Sequence, residues 1–220
     1  MGFQIMGSIF SLDGGLMGFL SRLTDLLILN LIFILTCIPI ITIGPALTAL
    51  YSVTLKMVKN EESYIFKSYF LALKENFKIS FFAWLILCLV SIVTFIDYQI
   101  VLQFQTMRNV FLVVFLMLSF LCVLICLFLF PYIARFENTL KQSFKNASFI
   151  AIASLPYTFL LLLITAVFVV FLLFIVPLQY ALLACLSFGF STLAFVNSFI
   201  FRKIFAKYEP KDSVDDTFDS

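Results

Sequence analysis

Enzymatic chemistry needs a nucleophile with its base, a metal-binding set or a phosphate cradle, and this sequence of 220 residues holds little of any. It has no histidine, which removes Ser–His–Asp and Cys–His sets and the HExxH metal motif together. No glycine-rich phosphate loop is present, so the chain has no P-loop of its own for ATP hydrolysis. Cys122 and Cys126 stand four residues apart, yet without a histidine they make a poor metal set. All five cysteines fall within apolar runs, where a thiol packs as a small hydrophobe. Two carboxylates, Asp25 and Asp97, border apolar runs; Asp25 follows Arg22 by three residues, the spacing of a helical ion pair. Catalytic, cofactor-binding and metal-ligating residues are therefore none, and the chain reads as a non-enzyme. Polar groups inside apolar runs include Asn30, Thr36, Ser187 and Asn197, whose default role is an interhelical hydrogen bond of about 1 kcal/mol.

The elements that carry these residues follow from composition. The chain is 63% hydrophobic, has 30 phenylalanines and is only 12% charged, against about a quarter charged in an ordinary soluble domain. Its mean hydropathy is +1.15. Long uncharged runs must satisfy their backbone groups internally in hydrocarbon, which selects helices. The expected fold is all-α: a polytopic helical membrane protein with about five transmembrane helices and cytoplasmic interfacial amphipathic helices. The spans are placed at about 26–43, 79–96, 110–134, 149–176 and 178–201, within a single membrane domain over residues 1–209. Pro177 and Gln179 mark a hairpin between the last two, and Pro156 kinks or begins the fourth. Residues 1–21, rich in glycine, read as an interfacial segment on the outer face, and 210–220 as a mobile acidic cytoplasmic tail.

Basic residues set the orientation. Lys56, Lys59, Lys67, Lys74 and Lys78 precede the second span; Arg135, Lys141 and Lys145 follow the third; Arg202, Lys203, Lys207 and Lys211 follow the fifth. Arg22 and Arg108 fall on the opposite side. Positive charge stays in the cytoplasm, so five spans place the N-terminus outside and the C-terminus inside. Lys74, Lys78, Arg135, Lys141, Lys145 and Arg202 mark the membrane boundary. Outside these flanks no dense basic patch points to nucleic acid.

The stretch IPIITIGPALTALYSVTLK, residues 38–56, puts Gly44-Pro45 near the inner end of the first span. Proline suits the first turn of a new helix and resists helix before it. The expectation is a fixed corner at Gly44-Pro45 near Thr42 and Tyr51, followed by a helix over 46–58 along or below the inner surface. Residues 64–78 carry Phe66, Phe70, Leu73 and Phe77 as the apolar stripe of a second surface helix, with Lys67, Lys74, Glu75 and Lys78 largely elsewhere. LKENFK at 73–78 and LKQSFK at 140–145 share four of six positions, 67 residues apart. Together with Arg135 and Arg202 at the same offset, they raise a parallel two-hairpin repeat of the kind some transporters use.

The block LTDLLILNLIFILTCIPIITIGPALTALYSVTLKMVKNEE, followed by ALKENFK, resembles the YesL-like family of bacterial integral membrane proteins, most specifically over residues 19–84. The residues that carry the likeness are Asp25, Asn30, Pro39, Thr42, Gly44, Ala49, Leu50, Tyr51 and Lys56, with Pro45 at the corner. The resemblance implies a bacterial plasma-membrane protein whose biochemical function is unassigned, encoded near carbohydrate ABC importers and polysaccharide-degrading enzymes. It implies no catalytic residue. The expected function is a non-enzymatic accessory or regulatory component of carbohydrate uptake. Its expected partners are the lipid bilayer and the subunits of a sugar ABC importer or a sensor protein. The alternative is a small-solute transporter or channel built on the two-hairpin repeat, which requires a polar cavity near mid-membrane.

Overall fold

The computed structural model describes residues 3–61, 64–101, 108–175 and 177–208. Its elements are helices throughout: α1 (Phe3–Cys37), a short 3-10 turn (Ile40–Thr42), α2 (Ile43–Lys59), α3 (Ile65–Val101), α4 (Arg108–Arg135), α5 (Leu140–Ala153), α6 (Leu155–Val170), α7 (Leu178–Ala184) and α8 (Phe190–Phe205). π-helical turns at Phe171–Ile175 and Cys185–Gly189 flank α7. Five helical segments among the described residues are long and apolar enough to cross a membrane, or six if the bent α5–α6 pair counts as one. The all-α, multi-pass expectation holds. The acidic tail expected at 210–220 lies outside the described residues.

The helix boundaries differ from the sequence reading in four places, each for a physical reason. Residues 3–21 do not form a separate segment; they continue into α1, a single helix of 35 residues. The first break falls at Ile38-Pro39 rather than at Gly44-Pro45. Ile38 precedes a proline and leaves the helical region, Pro39 is extended (φ −75°, ψ 118°), and the chain turns through Ile40–Thr42. Gly44 and Pro45 then lie inside the first turn of α2, where a missing N–H costs no helical bond.

The third difference concerns residues 64–78, which form the first part of α3 rather than a separate surface helix. α3 runs unbroken for 37 residues. Its buried stripe is Ile65, Tyr69, Ala72, Ser80, Ala83 and Leu87, while Phe66, Phe70 and Phe77 face outward. The expected apolar face is thus the outer one, because the core is filled by neighbours one helical position away. Fourth, the expected span at 149–176 begins at Leu155: α5 and α6 meet at a bend of 95°. Pro156 sits in the first turn of α6, and the Thr158 hydroxyl stitches the bend to the Ala151 and Ser154 carbonyls at 2.8 and 3.1 Å. α3 is unbroken whereas the α5–α6 pair bends by 95°, so the 67-residue likeness does not extend to the geometry of these arms.

α2 is the centre of the bundle. It contacts α1, α3, α4 and α8, and twelve of its seventeen residues are buried. Ala46, Ala49, Leu50, Val53 and Met57 join a core with α1 and the start of α3. Leu55 joins a second core with α4, α5, α6 and α8. The helix expected along the inner surface is therefore wrapped by protein, since its apolar residues occupy several faces rather than one. α3 and α4 run antiparallel, with Trp84 beside Phe130 and Tyr98 beside Phe115. Their outward faces carry Leu89, Phe95, Met117 and Phe120 exposed, a surface suited to hydrocarbon.

Candidate functional site

Asn30 is the most completely engaged polar side chain of the interior. It is fully buried on α1. Its Nδ2 donates to the carbonyls of Cys185 (2.9 Å) and Leu186 (2.8 Å), and its Oδ1 accepts the backbone N–H groups of Phe190 (3.1 Å) and Ser191 (3.0 Å). These carbonyls and amides stand five residues apart, Cys185 with Phe190 and Leu186 with Ser191, across the π-helical turn. The carboxamide thus bridges a widened helical turn, and its two donors and two lone-pair positions are all used. Ser191 returns a bond, donating its hydroxyl to the Leu26 carbonyl at 2.8 Å. Asn30 is a clamp between α1 and the start of α8. Every polar position of its side chain is spent on contacts between helices.

α1 and α2 form an antiparallel hairpin tied at both ends. At one end the Thr42 hydroxyl donates to the Thr36 carbonyl at 2.5 Å and the Pro39 carbonyl at 2.7 Å. At the other, Arg22 Nη1 donates to the Met57 carbonyl at 3.3 Å and Nη2 donates to Asn60 Oδ1. Arg22 therefore sits beside Lys59, and its placement on the side opposite Lys56 and Lys59 is corrected. Sequence spacing alone cannot show that α2 folds back along α1. The correction also removes the Arg22–Asp25 pairing as the main role of Arg22, which turns to α2 instead. Asp25 is half-buried on α1.

The C-terminus of α2 is closed with few loose carbonyls. Asn60 adopts the left-handed conformation (φ 58°, ψ 30°), with its N–H directed to Met57, while the Glu61 N–H reaches the Lys56 carbonyl at 3.1 Å. This is a Schellman-type closure, and asparagine tolerates its backbone angles. Arg202 Nη1 adds a bond to the Val58 carbonyl at 3.1 Å. Arginines from α1 and α8 thus both hold the end of α2.

At the other end of α2, Gly44 permits close helix contact. A Cβ there would lie 2.5 Å from Trp84 Cβ and 2.6 Å from the Ser80 carbonyl oxygen. Thr48 and Ser80 hydroxyls meet at 2.7 Å just inside this crossing, and the Trp84 indole donates to the Ile40 carbonyl at 2.9 Å. Other internal hydroxyls also pair: Thr54 with Ser198 at 2.8 Å and Thr36 with Tyr69 at 2.6 Å. Tyr51 stacks edge-on against Phe201, ring centres 5.7 Å apart. Buried Asn197 keeps its Oδ1 without a hydrogen-bond partner among the described residues.

The structure gathers Asn30, Thr42, Gly44, Pro45 and Tyr51 around the α1–α2 hairpin, but in separate contacts rather than in one pocket. Pro39 is exposed at the turn. Lys56, Arg135 and Arg202 come together in a cleft at the basic end, whereas Lys74, Lys78, Lys141 and Lys145 are exposed on α3 and α5. Sequence reasoning missed Ser80, Trp84, Ser191 and Ser198, because each acts through a contact distant in sequence. Asn60 was missed as well, although an asparagine just past a run ending in lysine is a helix-stop signal. No group of three or more potential metal-ligating side chains occurs among the described residues.

A multi-helix bundle with a wide apolar surface defines a multi-pass helical membrane protein. Residues 26–98 match the family described as "Protein of unknown function, DUF624". The matched segment contains Asn30, Pro39, Thr42, Gly44, Pro45, Tyr51 and Lys56 and leaves Asp25 one residue outside. No curated protein and no solved structure matches the chain.

Proposed function

We propose that this chain is a non-enzymatic membrane protein that works as an accessory or regulatory partner, with its basic end in the cytoplasm. The observation that carries this reading is the interior. Asn30 has every hydrogen-bonding position occupied, and the hydroxyls of Thr36, Thr48 and Thr54 are paired with other side chains. Polar groups spent on helix packing favour a docking role over a small-solute transporter or channel. The orientation rests on the lysines and arginines that flank the apolar runs at one end, now joined by Arg22.

The resemblance to the YesL-like bacterial family supplies the partner class and the membrane: subunits of a carbohydrate ABC importer, or a sensor protein, in a bacterial plasma membrane. Mild extraction of the full chain from native membranes, followed by mass spectrometry of what co-purifies, tests this. Recovery of an importer subunit or sensor in fixed proportion is the expected result. Repeated recovery of this chain alone, or sugar flux in proteoliposomes holding only this chain, overturns the reading.

A further inference from the structure

α2 is much shorter than two of the helices it packs on, with 17 residues against 37 for α3 and 28 for α4. The turn that joins it to α1 lies beside Trp84 of α3 and Phe130 of α4. The Trp84 indole donates to the Ile40 carbonyl at 2.9 Å, and a Cβ on Gly44 would come within 3.2 Å of the Phe130 ring. Lys78 stands six residues before Trp84, and Arg135 five residues after Phe130. At 1.5 Å per residue, the turn reaches only about 10 Å past the charged ends of both helices. From Trp84, α3 runs on through twelve uncharged residues to Asp97; from Phe130, α4 runs back through twenty-one to Arg108. That leaves about 20 Å of α3 and about 30 Å of α4 beyond the turn.

The other end of the hairpin stays with the charged residues. Ser52 and Lys56 of α2 line the same wall as Glu75 and Asn76 of α3 and Ala134 and Arg135 of α4. Arg202 of α8 holds the Val58 carbonyl, and Arg22 of α1 reaches Met57 and Asn60. A hydrocarbon core is about 30 Å thick, so a hairpin in this register ends inside it. The turn suits that environment. Leu35, Ile38, Ile40 and Ile41 are between 61% and 72% exposed, an apolar tip. The Thr36, Pro39 and Ile40 carbonyls all receive side-chain bonds, from the Thr42 hydroxyl or the Trp84 indole. Irregular backbone at membrane depth needs such internal partners, because no water is there to supply them.

We propose that α1–α2 is a re-entrant hairpin. It enters the bilayer from the basic end, turns within the hydrocarbon and returns to the same end, with Leu35, Ile38, Ile40 and Ile41 packed against lipid acyl chains. Both helices are long enough to cross, but their register on α3 and α4 stops them part of the way. Acyl chains are the occupant of the tip because the uncharged continuations of α3 and α4 set its depth. The assignment is independent of which protein partner the chain has.

The test uses the full chain in sealed phosphatidylcholine vesicles of known orientation. Trp84, bonded to the turn, reports its depth in the unaltered protein. Its fluorescence should be quenched more strongly by a nitroxide along the acyl chain than by one on the headgroup; the reverse order overturns the proposal. Ile41→Cys, Asn60→Cys and Asp97→Cys are then treated with an impermeant thiol reagent from each side, the unaltered chain giving the background. Asn60→Cys and Asp97→Cys should label from opposite sides, and Ile41→Cys should stay at background from both. Labelling of Ile41→Cys from either side overturns the re-entrant turn, and from the Asp97→Cys side it identifies a spanning hairpin. Disulfide-linked dimers of Ile41→Cys on oxidation in the membrane would place a second copy on the tip and overturn the assignment to lipid. If Ile41→Cys fails to fold, the order of quenching at Trp84 decides alone.

Discussion

The side-chain oxygen of Asn30 accepts the backbone N–H of Ser191 at 3.0 Å, joining residues 161 positions apart. The same carboxamide donates to the Cys185 and Leu186 carbonyls, so a single side chain completes the hydrogen bonding of the π-helical turn that leads into α8. Buried backbone groups left unpaired are costly, and in hydrocarbon no water replaces the lost partner.

Replacing Asn30 by Ala strands these groups and should lower stability by about 1–3 kcal/mol, read as a reduced thermal midpoint in detergent. Asn30→Asp should be at least as damaging, because an ionised carboxylate presents no donor to the two carbonyls. A midpoint unchanged in both variants would mean that the turn finds its own partners.

At the α2–α3 crossing, Gly44→Ala should destabilise by about 1–3 kcal/mol through overpacking. The added methyl meets backbone at Ser80 and the Cβ of Trp84, neither of which can swing aside. Trp84 is the sole tryptophan, so its fluorescence reports the displacement directly. An emission spectrum and midpoint equal to wild type would show that the helices separate without cost.

Asn60 separates two contributions at the end of α2. Asn60→Gly keeps the left-handed backbone but loses the Arg22 contact, whereas Asn60→Ala loses both. The alanine variant should be the less stable of the two by about 1 kcal/mol, in thermal unfolding of the purified chain. Reversal of that order would place the value of Asn60 in its side chain alone.

The α1–α2 hairpin makes a topological prediction. Cysteines introduced at Ser21 and at Asn60 should react with an impermeant thiol reagent from the same side of the membrane, because Arg22 contacts Met57 and Asn60. The native cysteines, all partly buried, provide the background control. Labelling from opposite sides would restore the arrangement expected from sequence.

Local and additive properties were legible before any coordinates. The absence of histidine removes whole classes of chemistry, and uncharged runs demand helices wherever they occur. The turn near residues 38–45 was legible as well, although its position was not. Pro39 and Pro45 both disfavour helix before them, and only packing decides which one bends the chain. Gly44 looked like a breaker but is needed for contact with Trp84 and Ser80. Phe66, Phe70 and Phe77 read as the apolar stripe of a separate surface helix, but they lie on the outer face of the long α3, since Tyr69 and Ala72 fill the space beside α2.

Residue types alone, then, make this an all-helical, multi-pass protein with no histidine and with its basic residues concentrated at helix ends. Those properties depend on residue type and near neighbours. Tertiary structure decided that α2 lies at the centre, that Arg22 joins the basic end and that Asn30 clamps α8. It also decided that Lys56, Lys59, Arg135 and Arg202 share one cleft. Each of these depends on how helices far apart in the chain come to lie side by side, which hydropathy and spacing along one helix do not encode.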